Sequence, residues 1–256
     1  MPRADPECGS DPGVQSTSHL RLVGVSEGTM SQHDGIKPSR PEEGIATVDL
    51  SGRRMPGTIA ATGRPSGNKA GGVPEIRRAL TGRDDAGKSV FAAVAAPPRI
   101  ITYESLPGLV FWEMYATQST PSLTGREPDP TPELSNLVAG PGETRFRLVQ
   151  FPPPPPEGWK PEPGAFERSF QEFDAKTPGF AQHFEKDNFP MHTTDTVDYG
   201  IVVRGEIILE LDDGKTAHLR QGDCVVQNGT RHRWINPLPE PCLMAFIMVG
   251  GRRAAG

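Results

Sequence analysis

The distribution of aromatic residues limits where this chain can form a core. All 11 phenylalanines, 3 tryptophans and 3 tyrosines lie at or after Phe91, so the first 90 residues contain none. A segment without aromatic side chains that is rich in Gly, Pro and Ser buries too little apolar surface to offset the entropy lost on ordering. We therefore predict a disordered N-terminal leader over residues 1–73 and a folded domain over residues 74–256.

Turn residues divide the C-terminal part into short apolar segments. The chain contains 29 glycines and 28 prolines, an excess over average usage that argues against a mostly helical protein. Residues 144–151 alternate between two faces, and residues 242–250 form a nearly continuous apolar run. Asp213-Gly214 lies between alternating apolar runs, which is a strong hairpin signal. Short strands at this spacing predict an all-β protein.

One segment has the period of a helix. Within residues 164–176, Phe166, Phe170 and Phe173 follow one another at helical spacing and form a single aromatic stripe. We expect this helix to pack on the wall of the β-structure, with a lid over its opening as the alternative.

Charge and cysteine usage exclude several classes of function. The net charge of −5 leaves no general basic surface for nucleic acid. No apolar run approaches the ~20 residues needed to cross a bilayer, and the first residues do not have the pattern of a secretory signal. The 3 cysteines form no paired framework. We expect a cytoplasmic protein that binds neither nucleic acid nor membrane.

Two short segments contain residues that can bind a metal or a substrate. The first contains His192 and, six positions later, Asp198. The second contains His232 and, four positions later, Asn236. If the first segment is extended, His192, Thr194 and Asp198 share parity and face the same side of a strand.

In order and spacing, these segments resemble the two motifs of the cupin superfamily, G-x5-H-x-H-x3,4-E-x6-G and G-x5-P-x-G-x2-H-x3-N. Gly205 follows Asp198 at the distance that separates the acidic residue from the last glycine of the first motif, and Gly222 opens the second segment. The resemblance is specific over residues 187–250. It implies a single jelly-roll barrel with one short helix, preceded by the disordered leader.

The resemblance also implies a metal site. It makes His192, Asp198 and His232 the metal ligands and the catalytic residues, whereas Thr194 stands where the family has its second histidine. Two histidines and one carboxylate suit non-haem Fe(II), and also catalytic Zn. We expect a divalent metal, Fe(II) first, with Zn or Mn as alternatives. The competing interpretation is a metal-free cupin whose histidines bond one another or backbone carbonyls.

As a function, the resemblance implies an oxidoreductase acting on an aromatic or polyketide-like small molecule, in secondary metabolism or catabolism. The predicted substrate pocket contains Thr194, Tyr199, Trp234, Asn236 and Phe246, with Trp112 and Met244 as further apolar wall. Two alternatives stay open. One is a cupin that binds a small molecule without catalysis, and the other is a non-redox, metal-dependent lyase or isomerase.

Cupins commonly form dimers, so the resemblance also implies a homodimer. The strand-like segments within residues 88–119 are the candidates for its contact.

Overall fold

The computed structural model of the protein describes residues 73–118 and 120–254. The predicted leader over residues 1–73 therefore lies almost wholly outside the described residues. Within them, the chain forms the following strands and helix: β1 (Arg78–Arg83), β2 (Ser89–Ala95), β3 (Arg99–Thr102), β4 (Val110–Thr117), β5 (Thr144–Phe151), α1 (Ala165–Lys176), β6 (Thr196–Arg204), β7 (Glu206–Glu210), β8 (Thr216–Arg220), β9 (Cys224–Asn228), β10 (Arg233–Ile235) and β11 (Cys242–Gly250). Short 3-10 segments occur at Thr131–Glu133, Ala181–His183, Lys186–Asn188 and Asp212–Gly214.

The largest sheet has six strands in the order β3-β4-β5-β11-β6-β9. All of its neighbouring strands pair antiparallel. β11 lies between β5 and β6, and its side chains are buried along most of its length. A strand covered on both faces needs a continuous apolar run, which explains the composition of residues 242–250.

A second sheet has three strands in the order β10-β7-β8. Gly205 connects β6 of the large sheet to β7 of the small sheet with a φ of 83°, a conformation that L-residues rarely adopt. Ile207 of β7 belongs to the same buried cluster as Met244 and Phe246 of β11. The two sheets therefore share one core, and the prediction of an all-β fold with one helix is confirmed.

The inward face of β5 contains arginines. Arg145, Arg147 and Val149 are buried, whereas Phe146 on the other face is 36% exposed. Arg147 lies directly across from Glu113 of β4 in the strand register. Burying a charge is costly unless it is paired, so the carboxylate of Glu113 on the neighbouring strand allows a guanidinium group on this buried face.

Helix α1 packs against the β-structure through its C-terminal half. Phe173 is buried and its ring stacks on Tyr103 at 5.6 Å between centroids. Phe166 is 40% exposed and contacts Phe189 at 5.5 Å. The predicted aromatic stripe is therefore divided, with one end in the core and the other at the surface. Packing on the wall is confirmed for the end that contains Phe173.

The hairpin of β1 and β2 forms a separate two-stranded sheet. Just before it, Ile76 packs on a small buried cluster that contains Trp112. Residues 88–119 thus include β2, β3 and β4, and their role in a homodimer stays a prediction.

Over residues 73–118 and 120–254, no helix combines the length and the apolar character that crossing a membrane requires.

Candidate functional site

A cavity of about 560 Å³ lies on the inner side of the large sheet. Most of its wall is apolar, with aromatic side chains that include Phe111, Phe151, Phe184, Trp234 and Phe246. The polar side chains in the same wall are Ser105, Arg147, His192, Thr194, Asp198, His232 and Asn236. A concave, mostly apolar site with a few polar groups is typical of small-molecule binding.

Two histidines are held side by side at this cavity. The backbones of His192 and His232 form reciprocal N–H to carbonyl hydrogen bonds, both of 2.9 Å. Their rings lie 4.2 Å apart between centroids. Phe184 stacks on His192 at 4.5 Å, and Trp234 meets the ring of His232 edge-on at 5.7 Å. The structure therefore brings together the two histidines that the sequence predicted.

Backbone carbonyls fix the tautomer of both rings. Nδ1 of His192 lies 3.0 Å from the carbonyl oxygen of Pro190, and Nδ1 of His232 lies 2.9 Å from that of Thr230. A carbonyl can only accept, so in each neutral ring Nδ1 carries the proton and Nε2 keeps its lone pair. Burial lowers the pKa of His192 to about 3, with the neighbouring His232 adding to the shift. Burial also lowers the pKa of His232, so both rings are neutral at pH 7.

Asp198 lies in the same wall and is 7% exposed. Its Oδ1 atom is buried without a hydrogen-bond partner among the described residues. Burial raises the pKa of Asp198 to about 6, and this shift is opposed by a hydrogen bond from Thr196 and by the charge of Arg147. Thr194, also in the wall, shares a 2.8 Å hydrogen bond between its Oγ1 and that of Thr196.

Three further residues of the predicted pocket also line the cavity. Trp234 and Phe246 contribute to its aromatic wall, with their rings 5.6 Å apart. Asn236 lines it too, but its amide donates to the carbonyls of Phe151 and Pro152 at 3.3 and 3.1 Å. Asn236 therefore holds the loop that follows β5 in place at the edge of the cavity, which is a structural role.

The prediction that Tyr199 lines the pocket is wrong. It alternates with Asp198 along β6, so it lies on the opposite face of the sheet and is 47% exposed. Trp112 and Met244 are also absent from the cavity wall. Trp112 belongs to the cluster on the other face of β4, and Met244 lies within the central core.

Sequence reasoning missed Arg147 and its partner Glu113. Arg147 lies in the cavity wall and is 2% exposed, and Glu113 is fully buried. The available signal was the parity of β5, since Arg147 shares a face with Val149 and Phe151, which also line the cavity. Alternation alone does not indicate that a charged side chain on that face has a partner on another strand.

The histidine pair fits a divalent metal. The chain offers two Nε2 lone pairs, and each ring is oriented by a second hydrogen bond, as is usual for histidines that bind metals. Among residues 73–118 and 120–254, no group of three or more His, Cys, Asp or Glu side chains is arranged to hold a metal ion. His192, Asp198 and His232 are therefore not gathered into one three-ligand group, and metal binding stays a prediction.

The histidine pair should make the metal-free protein less stable in acid. Since folding lowers the pKa of His192 from 6.5 to about 3, only the unfolded chain takes up this proton between those pH values. The stabilisation is complete above pH 6.5 and is lost as the pH falls, by about 2 kcal/mol at pH 5. Urea unfolding with a chelator at pH 7.5 and pH 5 should show a smaller acid loss for His192→Gln than for the wild type.

Asp198 should act in the opposite direction. Because folding raises its pKa from 3.8 to about 6, its contribution is present below pH 3.8 and is lost as the pH rises through 6. Asp198→Asn removes this opposing contribution, so its acid loss between pH 7.5 and pH 5 should exceed that of the wild type by about 1 kcal/mol. Equal acid losses in all three proteins would contradict both assignments.

Residues 182–249 match a family model described as the cupin domain. The match begins just before His192 and ends within β11, so it contains the histidine pair and Asp198.

Several known proteins are similar to part of this chain. Cupin-domain-containing oxidoreductase srdD of Neurospora crassa is 49% identical over 59 residues, which cover 23% of this chain and 30% of the relative. Cupin-domain-containing oxidoreductase virC of Hypocrea virens is 49% identical over 47 residues, which cover 18% and 24%. Phomopsin biosynthesis cluster protein C' of Diaporthe leptostromiformis is 52% identical over 46 residues, with the same 18% and 24%. The chain thus spans less than a third of the length of these relatives.

Among solved structures, a cupin-2 domain containing protein of Shewanella frigidimarina has 18% sequence identity and a TM-score of 0.25, over 41% of this chain and 68% of that one.

Proposed function

The chain belongs to the cupin superfamily, and on this premise we propose that it is an oxidoreductase that converts an aromatic or polyketide-like small molecule in its cavity. The observation that carries the proposal is the cavity itself, in which two neutral histidines with unprotonated Nε2 atoms lie in an aromatic wall. The similarity of part of the chain to cupin-domain-containing oxidoreductases supports the reaction class.

The composition of the wall favours an apolar aromatic substrate over a sugar or a phosphate. Phe151, Trp234 and Phe246 form a cluster in which Trp234 lies 6.5 Å from Phe151 and 5.6 Å from Phe246. Aromatic faces bind flat apolar ligands by offset or edge-on packing. A sugar needs several free hydrogen-bonding groups, whereas the amide of Asn236 and the hydroxyl of Thr194 are already engaged within the protein.

We further propose a divalent metal at this site, Fe(II) first, with Zn or Mn as alternatives. Nε2 of His192 and of His232 would hold it, with Asp198 as the candidate third ligand. When bound, such a metal supplies Lewis acidity, and Fe(II) also supplies redox chemistry. The carbonyls of Pro190 and Thr230 keep both rings in the ligating tautomer, and the aromatic wall excludes water from the reacting part of the substrate.

Metal content tests this assignment. His232→Ala should lower the metal bound by the purified protein from near one equivalent to less than about a tenth, because a site with two histidines loses half of its imidazole ligands. Elemental analysis after reconstitution with Fe(II), Zn or Mn measures the change. His218→Ala is the matched control, since His218 lies exposed on β8, and it should keep the wild-type content. Full occupancy in His232→Ala would overturn the ligand assignment.

A second candidate is a cupin that binds an aromatic molecule without converting it. The observation in its favour is that the described residues do not gather three ligands in one group. A purified protein that binds aromatic compounds but retains no stoichiometric metal would support this candidate. Oxygen consumption with Fe(II) and substrate would instead support the oxidoreductase, and turnover without oxygen consumption would indicate the lyase or isomerase.

A further inference from the structure

Two buried polar atoms of opposite kind lie unpaired in the wall of the cavity. Nη1 of Arg147 is a donor, and Oδ1 of Asp198 is an acceptor when the carboxyl group is ionised. Neither has a hydrogen-bond partner among the described residues, although both side chains are more than nine-tenths buried. Leaving such a group without a partner is costly, so two complementary unpaired groups in the wall of one cavity are candidate contacts for a bound ligand.

The other contacts of Arg147 hold its guanidinium group in place. Its Nε lies 3.2 Å from Oε1 of Glu113, and its Nη2 donates to the carbonyl of Leu137. The rings of Phe111 and Phe180 lie 5.8 and 5.4 Å from the guanidinium carbon. Nε and Nη1 both lack a hydrogen-bond partner among the described residues, but Nε lies against the carboxylate of Glu113, so Nη1 is the nitrogen that we assign to a ligand.

Asp198 does not serve as the partner of Arg147. The two side chains interact through their charges, but they form neither an ion pair nor a hydrogen bond within the described part of the chain. Arg147 is on β5 and Asp198 is on β6, and β11 separates the two strands in the sheet. A group located between them could use both.

We propose that Arg147 and Asp198 form a subsite for an uncharged hydroxyl group on the aromatic ligand. The hydroxyl oxygen accepts from Nη1 of Arg147, and its proton is donated to Oδ1 of Asp198. This inference rests on the proposed function, because it assumes that the cavity binds an aromatic molecule. It uses only Oδ1 of Asp198, and its test is carried out on the metal-free protein.

The charges of the wall favour a hydroxyl over a carboxylate. Glu113 already lies against Arg147, and Asp198 adds a second acidic group. A carboxylate ligand could accept from Arg147, but it would have no proton for Asp198 and would be repelled by it. A methyl group in the same position would leave both buried atoms unpaired. A site built for a hydroxyl discriminates strongly against an analogue that lacks one.

Matched probes test the subsite on the metal-free protein. We would measure the binding of 2-naphthol, 2-methylnaphthalene and 2-naphthoate by equilibrium dialysis in the presence of a chelator. The wild type should bind 2-naphthol at least about tenfold more tightly than either of the others, since hydrogen bonds to charged groups are each worth about one tenfold step or more. Asp198→Leu should reduce this preference to less than about threefold.

Three further variants separate this role from a general effect on the fold. Asp198→Asn keeps an acceptor oxygen without the charge, so it should retain part of the preference for 2-naphthol and bind 2-naphthoate better than the wild type. The double variant Glu113→Leu, Arg147→Met should lose the preference. Asp195→Leu is the matched control, because Asp195 is exposed and pairs with Arg253 outside the cavity, and its preference should equal that of the wild type.

The results separate this inference from the proposed function. Equal binding of 2-naphthol and 2-methylnaphthalene to the wild type would overturn the hydroxyl subsite but leave the aromatic cavity in place. An unchanged preference in Asp198→Leu, or in the double variant, would also overturn the subsite. If none of the three probes bound to the wild type, both the subsite and the proposed aromatic ligand would be contradicted. If Asp198→Leu does not fold, the preference for 2-naphthol measured in Asp198→Asn and in the double variant provides the test.

Discussion

Replacing Arg147 with Met should lower the free energy of unfolding by about 3–5 kcal/mol, the range for removing one partner of a buried ion pair. The substitution leaves the carboxyl group of Glu113 fully buried, without the guanidinium group that lies 3.2 Å from it. Burial already raises the pKa of Glu113, and the charge of Arg147 is the largest opposing influence. Urea unfolding at pH 7.5 measures the loss.

The double variant Glu113→Leu, Arg147→Met should recover most of this loss, to within about 2 kcal/mol of the wild type. Buried pairs can often be replaced together by apolar side chains of similar volume, because both desolvation costs disappear at once. Neither carboxylate oxygen of Glu113 has hydrogen-bond geometry toward Arg147, so little is lost with the pair. A double variant as unstable as the single one would contradict this account.

The pH dependence of the single variant gives an independent check. Without Arg147, the pKa of Glu113 should rise further, so the folded state holds a proton that the unfolded chain has already released. A raised pKa in the folded state gives stability that is lost as the pH rises. Arg147→Met should therefore be closer to the wild type at pH 5 than at pH 8. A gap that is constant with pH would show that the loss comes from packing and not from charge.

Replacing Gly250 with Ala should destabilise the protein by more than about 4 kcal/mol, in the range seen only for severe core defects. A Cβ atom at this position would lie 1.8 Å from the carbonyl oxygen of Gly140 and 2.7 Å from that of Ala139. Both neighbours are backbone and cannot rotate away. The strand end is also fixed by two hydrogen bonds, from Gly250 N to the carbonyl of Glu143 at 2.9 Å and from Gly142 N to the carbonyl of Gly250 at 3.1 Å.

The adjacent glycine provides the control. A Cβ atom on Gly251 would meet the carbonyl oxygen of Asp195 at 3.5 Å, which is an ordinary van der Waals contact. Gly251→Ala should therefore change stability by less than about 1 kcal/mol. Thermal and urea unfolding of the two variants would show whether the effect belongs to Gly250 alone. Similar losses of stability in the two variants would mean that the end of β11 cannot accommodate a side chain. The close approach of Gly250 to the backbone of Gly140 would then not be the cause.

Local pattern was sufficient to predict most strands of the fold. The alternating segment at residues 144–151 became β5, and the apolar run at residues 242–250 became β11. The hairpin signal of Asp213-Gly214 is also confirmed, because both residues have positive φ between β7 and β8. These features depend on a few neighbouring residues, whose turn chemistry and alternation are visible in one segment.

The candidate site was predicted in part. The spacing of the two motifs identified His192 and His232, and these two side chains lie together because the two segments pair through reciprocal backbone hydrogen bonds. Tyr199 was assigned to the wrong face, since being next to Asp198 in the sequence places a residue on the opposite side of a strand. Arg147 was not predicted as a site residue, because its partner Glu113 lies on a different strand.

By itself, the sequence determined where strands and turns fall and which two histidines come from the two motifs. The tertiary structure alone decided which face of β5 is buried, and hence that Arg147 lies in the cavity wall beside Glu113 and shares that wall with Asp198. The physical reason is that alternation defines two faces of a strand but does not indicate which of them is buried. The choice is made by register with neighbouring strands and by the packing of one sheet on the other, through contacts between residues far apart in the sequence.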